Sequence, residues 1–157
     1  HEGETPPQIM EEIKAFSARA VASIEAAEPF VTKNREEFLR LRNDIRCIRA
    51  MSQNYAAKAG AALQVLRYGY SREVGDMERA EVLLAESLTH YRTLTALTMD
   101  TYTAANSMHT SQRRVPVPGG INGQPANYHW KQLLPLYEAE LADFKKQVAA
   151  LKSPDGA

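Results

Sequence analysis

The sequence predicts an all-α fold, an antiparallel four-helix bundle in which a long ordered loop joins the third helix to the fourth. Apolar residues recur every three or four positions in four separate stretches, which is the period of one helix face. Strand-like alternation extends nowhere over more than a few residues. The chain has 157 residues, 44% of them hydrophobic and 24% charged. That length and composition suit one globular domain.

The first helix is predicted to begin at Thr5, whose side chain can cap it, and Pro6 and Pro7 suit its first turn. Pro29 ends it, because proline has no backbone N–H to continue the helix. Its predicted core face consists of Ile9, Ile13, Phe16, Ala20, Ile24 and Ala27.

The second helix is predicted to begin near Thr32 or Asn34, to run to about Tyr68 and to stop at Gly69. Its apolar positions alternate three and four apart, the pattern of a coiled-coil-like seam. They are Phe38, Leu41, Ile45, Ile48, Ser52, Tyr55, Ala59, Ala62 and Leu66. Cys47, the single cysteine, is predicted to be a small buried hydrophobe and not a nucleophile. One cysteine allows no intrachain disulfide and does not fix the redox compartment.

The third helix is predicted to begin after Ser71, with acidic residues in its first turns. Threonines crowd its second half, which is unfavourable for an isolated helix, so we expect tertiary contacts to hold it. Its predicted core face consists of Met77, Ala80, Leu84, Leu88, Tyr91, Thr95, Thr98, Tyr102 and Ala105.

The fourth helix contains a proline near its beginning, Pro135. Either the regular helix begins there, or residues 130–134 form a separate turn kinked against it, and we favour the kinked turn. The predicted core face consists of Trp130, Leu134, Tyr137, Leu141, Phe144, Val148 and Leu151.

The segment from His109 to His129 contains three prolines and three glycines, which exclude a helix. A connection of about 20 residues is long for a bundle, and such loops are generally functional or disordered. Its valines and isoleucine favour an ordered loop. The ends, about 1–5 and 153–157, resemble linkers, so residues 1–157 are predicted to form a single module of a larger protein.

Charge is balanced overall, with 19 basic and 19 acidic residues and a formal net charge of zero. This argues against nucleic acid as a partner. No apolar stretch approaches the ~20 residues that a membrane span requires. The second helix is basic whereas the segments around it are acidic, which predicts salt bridges between antiparallel neighbours. The alternative is a groove for an anionic ligand on the second helix.

No motif in the sequence predicts catalysis, a metal site or a cofactor. The four histidines lack the i, i+4 spacing of a helical zinc pair, and no Glu-x-x-His motif is present. Nucleophile elbows and phosphate-binding glycine loops are also missing from the sequence. We therefore expect no enzyme activity in this chain, and no metal or cofactor.

The best candidate for a ligand site is the set of polar and aromatic residues at both ends of the long loop. These two runs flank one loop, so we expect them to converge at one end of the bundle. Aromatic rings stack on sugar faces, while amide and guanidinium groups bond hydroxyl or acidic groups. The predicted set is Tyr102, Asn106, His109, Gln112, Arg113, Arg114, Tyr128, His129 and Trp130. The alternative is that Tyr128 and Trp130 plug the bundle end and the arginines cap the third helix.

Four stretches of the sequence resemble helical accessory regions of large, secreted bacterial proteins that break down polysaccharides. They are Tyr91–Tyr102, Ala105–Pro116, Tyr128–Lys131 and Leu134–Leu141. The resemblance covers about residues 65–145. It implies an extracytoplasmic, noncatalytic, carbohydrate-binding module. Its partners would be a polysaccharide or oligosaccharide, anionic if the arginines bind it, and other domains of the same chain. The second hypothesis is a spacer or protein-docking bundle that binds no sugar, and the third is an enzyme.

Overall fold

A computed structural model describes residues 3–103 and 129–153 of the chain. They form four α-helices: α1 (Pro6–Ala27), α2 (Arg35–Ser71), α3 (Val74–Thr98) and α4 (Trp130–Leu151), with a short 3-10 turn at Glu28–Phe30. These residues contain no strand, so the prediction of an all-α helical bundle is confirmed. The predicted ordered loop between α3 and α4 lies largely outside the described residues.

The helices pack in chain order, α1 on α2, α2 on α3 and α3 on α4. The Asn43 amide of α2 donates to the carbonyl of Leu97 near the end of α3, at 3.1 Å. Near the other end of α2, Ser71 and Asp76 meet across the turn. Helices α2 and α3 are therefore antiparallel. The ion pairs between the end of α1 and the first half of α2, and between the end of α4 and the start of α3, give the same arrangement for the other two pairs, as predicted. The α2–α3 turn and the α3–α4 connection lie at opposite ends of α3.

The end of α2 differs from the prediction. The helix continues through Gly69 to Ser71, and Arg72 adopts the left-handed conformation with φ 57°. The expectation that Gly69 terminates the helix was wrong. Contacts across the following turn explain the difference. The buried carboxylate of Asp76 accepts hydrogen bonds from the Ser71 hydroxyl and from Arg79.

These hydrogen bonds also set the charge state of the turn. The Ser71 hydroxyl contributes most to holding the pKa of Asp76 below its ordinary value, and the guanidinium groups of Arg79 and Arg67 act in the same direction. Burial opposes this lowering of the pKa. An Arg67 nitrogen lies 3.2 Å from the carboxylate. The turn between α2 and α3 is therefore held by a charged aspartate.

Helix α3 lies between α2 and α4 and is buried against both. The predicted face is confirmed within the helix, from Met77 to Thr98, and Leu94 is also buried, with 1% of its surface exposed. Three of its threonine hydroxyls bond to preceding carbonyls, as Thr98 does to Leu94 at 2.7 Å, whereas the buried Thr95 hydroxyl has no partner among the described residues. The neighbouring helices thus supply the tertiary contacts expected for this threonine-rich segment.

The predicted core face of α2 was wrong. The residues buried against the bundle are small or polar and are spaced three and four apart; we call them the inner seam: Cys47, Ala50, Asn54, Ala57 and Ala61. Most of the predicted residues instead form an outer seam: Leu41, Ile45, Ile48, Ser52, Tyr55, Ala59, Ala62 and Leu66. Four large members of the outer seam are exposed: Leu41 by 49%, Ile48 by 53%, Tyr55 by 58% and Leu66 by 63%. Burial of Cys47 is confirmed, and it raises the pKa of the thiol.

Small side chains on the inner seam explain this choice of face, because they let α3 approach the α2 backbone closely. The inner seam is also completed by a polar contact. The Asn54 amide donates to the Ser87 hydroxyl at 2.8 Å and to the Ser87 carbonyl at 2.9 Å. Both residues are buried, so this bond satisfies groups that would otherwise be costly inside the bundle.

The predicted face of α1 was correct only in part. Ile13 and Ile24 are half-buried, whereas Ile9 and Phe16 are exposed by 42% and 55%. The buried residue at the centre of the helix is Ser17, whose hydroxyl bonds within its own helix to the carbonyl of Lys14. The face that contacts α2 is thus rotated by about one residue from the most apolar stripe.

The predicted face of α4 is confirmed: Val148 is buried and the other members are half-buried, joined by buried Leu133. One helix runs through Pro135, so the expectation of a separate turn at residues 130–134 was wrong. The predicted salt bridges from basic α2 to its acidic neighbours are seen for Arg42 with Glu28, Arg46 with Glu25 and Arg67 with Asp76. Further pairs that were not predicted join α4 to α2 and α3: Lys58 with Glu140, Arg92 with Glu138, and Lys152 with Glu78.

Candidate functional site

Three of the predicted ligand residues, Tyr102, His129 and Trp130, meet where α3 ends and α4 begins. The Trp130 ring contacts Tyr102 edge-on, with 5.7 Å between ring centroids, and His129 edge-on at 5.6 Å. The other predicted ligand residues lie outside the described residues: Asn106, His109, Gln112, Arg113, Arg114 and Tyr128. The convergence expected from the sequence is therefore seen for the residues immediately next to the two helices.

His129 joins α4 to α3 through both of its ring nitrogens. Its Nδ1 accepts the backbone N–H of Lys131 at 3.1 Å, which caps α4. Its Nε2 lies 3.0 Å from the Thr98 carbonyl, so the ring is the neutral tautomer that donates from Nε2. The backbone N–H of His129 donates to Gln132 Oε1 at 2.7 Å and completes the cap. Since His129 is buried with both nitrogens in use, its contribution at this site is to position the start of α4.

Tyr102 is tied to α2 by a hydrogen bond from its hydroxyl to the carboxylate of Asp44. Burial, followed by this bond, raises the pKa of Tyr102, which keeps the phenol protonated as a donor. Trp130 is partly exposed and packs on the core cluster that includes Cys47, Tyr91 and Leu133. The indole is consequently held between the core and Tyr102, with part of its surface open.

An aromatic cleft extends from Trp130 along the gap between α2 and α4, with α3 as its floor. Its volume is about 80 Å³, and its lining residues are Met51, Asn54, Tyr55, Tyr91, Leu94, Trp130, Leu133 and Tyr137. Tyr91 and Tyr137 stack with their centroids 4.0 Å apart, and the Lys58 ammonium lies 4.3 Å above the Tyr137 ring. Burial raises the pKa of both stacked tyrosines.

The volume of this cleft limits what it can do. Pockets that enclose small organic ligands typically measure about 300–1,000 Å³, so a sugar ring does not fit inside a cleft of 80 Å³. Tyr137 is covered by Tyr91 and Lys58. Tyr55 and Trp130 are left as the aromatic surfaces that a ligand can reach along the rim. Sequence reasoning assigned Tyr55, Tyr91 and Tyr137 to the core, and no spacing signal reveals that the three line one cleft.

In residues 3–103 and 129–153, no group of three or more His, Cys, Asp or Glu side chains is placed to hold a metal ion. None of the four helices is long and apolar enough to cross a membrane.

No protein-family model matches the sequence, and no curated protein is significantly similar to it. The structure is similar to part of a solved GH138 enzyme targeting pectin rhamnogalacturonan II, with a TM-score of 0.85 and 38% sequence identity. The match covers 98% of this chain but 22% of the enzyme chain. The chain therefore spans about a fifth of the length of the enzyme that it resembles.

Proposed function

We propose that the chain is a noncatalytic module of a larger, extracytoplasmic glycan-degrading enzyme and that it binds an acidic glycan at the Trp130 end of the bundle. The observation that carries the proposal is the similarity to about a fifth of a pectin-targeting enzyme, at 38% identity over nearly the whole of this chain. A part so small, with no catalytic motif in its sequence, fits an accessory role better than a catalytic one.

The geometry at the start of α4 supports binding at a surface. His129 and Tyr102 hold the partly exposed Trp130 against the core, so stacking a sugar ring on the indole costs little additional ordering. The proposed polar ligand groups remain Asn106, His109, Gln112, Arg113, Arg114 and Tyr128. The two arginines suit the uronates of pectin, because guanidinium groups form charge-assisted hydrogen bonds with carboxylates.

Binding can be tested by retention of the chain on an affinity gel that contains rhamnogalacturonan fragments. Arg113→Ala combined with Arg114→Ala should weaken retention about tenfold or more, because each lost charge-assisted hydrogen bond is worth about 1.5–3 kcal/mol. Trp130→Phe should weaken it through loss of ring area. Tyr70→Ala removes a ring that is 93% exposed at the opposite end of α2 and is the matched control, with unchanged retention.

Trp130 is the single tryptophan and reports directly on its own surroundings. Its fluorescence should respond to the bound fragments. If the emission is indifferent to every acidic glycan tried and the unmodified chain is not retained, the sugar-binding proposal is overturned. The second candidate, a spacer without sugar binding, then stands, and it is favoured by one observation: His129 and the Tyr102 hydroxyl are already engaged within the bundle.

A further inference from the structure

The outer seam of α2 is an apolar helix face that the described part of the chain leaves open. Around α2, α3 covers the side of Asn54 and Ala57, and α1 covers the side of Gln53 and Gly60. Helix α4 approaches at Lys58. At about 100° per residue, the outer seam occupies the remaining side, opposite α3. Its large residues are accordingly about half exposed.

The spacing of this seam indicates what would cover it. From Leu41 to Leu66 its members are separated by four and three residues in strict alternation, which is the heptad period of a face that packs on another helix. The seam extends for about 38 Å along α2. Ser52, Ala59 and Ala62 are small, so a second helix can approach closely in the middle of the seam. Scattered exposed apolar residues would not keep such a period.

Helix α1 widens the same surface. Glu11 and Lys14 line the gap between α1 and α3. Phe16 follows Lys14 by two residues, which places it about 160° away around the helix, on the side turned from α3. Ile9 shares that side and is also exposed. The exposed apolar residues of α1 and α2 therefore face the same direction.

We infer that the outer seam docks a helix from another domain of the same polypeptide. The comparison supports this source, because the similar segment makes up 22% of its enzyme chain and is accompanied there by a much longer polypeptide. Arg42 and Lys58, which flank the seam, already pair with Glu28 and Glu140 within the bundle, so the apolar spacing of the seam, and not its flanking charge, defines the docked helix. The inference rests on the larger-enzyme half of the proposed function and is independent of sugar binding.

Thiol labelling of the full polypeptide encoded by the reading frame tests the inference. Ala62→Cys places a thiol on the outer seam, and Ala142→Cys places one on α4; both alanines are exposed in the bundle and mid-helical. The native Cys47 is buried and gives the same low background in both variants. We expect a maleimide to label Ala62→Cys more slowly than Ala142→Cys by on the order of tenfold or more, because labelling would require undocking.

Three results would overturn the inference. Equal labelling rates would show that the seam is open to solvent in the whole protein. Protection of Ala62→Cys that disappears on dilution, together with concentration-dependent mass in sedimentation, would identify a second copy of the chain as the occupant. A reading frame that encodes no further domain would remove the proposed source. A multidomain enzyme with equal labelling rates would leave the proposed function intact and contradict the docking alone.

Discussion

The two seams of α2 have the same period but opposite surroundings. The inner seam, built from Cys47, small alanines and Asn54, is buried, whereas the outer seam, with larger apolar side chains, is about half exposed. Burial of α2 therefore follows how closely a neighbouring helix can approach, and not the size of its apolar side chains. The larger side chains are the ones available for contact outside the bundle.

The largest loss of stability is expected at Leu94, which is buried, and it can be compared with the loss at Leu66 on the exposed outer seam. Leu94→Ala should reduce the free energy of unfolding by about 2–5 kcal/mol, because Leu94 is 1% exposed between α2 and α4 and its loss leaves a cavity. Leu66→Ala, on the outer seam, removes the same atoms from a residue that is 63% exposed. Urea denaturation of both variants measures the difference. Equal losses would mean that the outer seam is part of the folding core.

A smaller effect is expected from the polar member of the inner seam. Asn54→Ala should cost about 1–3 kcal/mol, because the buried Ser87 hydroxyl and carbonyl each lose their bond to the amide. Ser87→Ala tests the same contact from the other side, and the double variant should cost less than the sum of the two single ones. Additive losses in thermal or urea unfolding would show that the two side chains act independently.

The smallest effect on stability is expected at Tyr55, the residue that follows Asn54. Tyr55→Ala deletes a large aromatic side chain, yet it should change the free energy of unfolding by less than about 1 kcal/mol because the ring is 58% exposed. Asn54→Ala would then be the more damaging change despite removing fewer atoms. A loss at Tyr55 comparable with that at Leu94 would mean that the aromatic cleft is sealed more tightly in solution.

The sequence predicted the buried faces of α3 and α4 correctly because each of these helices has one dominant apolar stripe, and that stripe is the buried one. It was insufficient for α2, where two stripes of the same period compete and the more apolar stripe is exposed. Nothing local reveals that α3 selects the small residues around Asn54, since that choice depends on the shape of the partner helix. The same limit explains the error in α1, where Ser17 is buried and Phe16 is not.

For the candidate site, the sequence located Tyr102, His129 and Trp130 together because both ends of one loop must meet. The sequence could not predict that both ring nitrogens of His129 are hydrogen-bonded inside the bundle. The partner of Nε2 is the backbone carbonyl of Thr98, and a backbone partner leaves no signal in the sequence. Tyr55, Tyr91 and Tyr137 come from three different helices, and their meeting in one cleft is a property of helix placement.

The antiparallel order of the helices determines where the start of α1 and the end of α4 lie relative to Trp130. Met10 near the start of α1 borders Gly60 and Leu83, and Lys152 at the end of α4 pairs with Glu78 near the start of α3. The start of α1 and the end of α4 therefore lie toward the same end of the bundle. Trp130 lies at the opposite end of α4, a helix of 22 residues, and is thus about 33 Å from the last residue of that helix. Under the proposed function, the sugar-binding surface at Trp130 and the two ends of the described bundle therefore lie far apart.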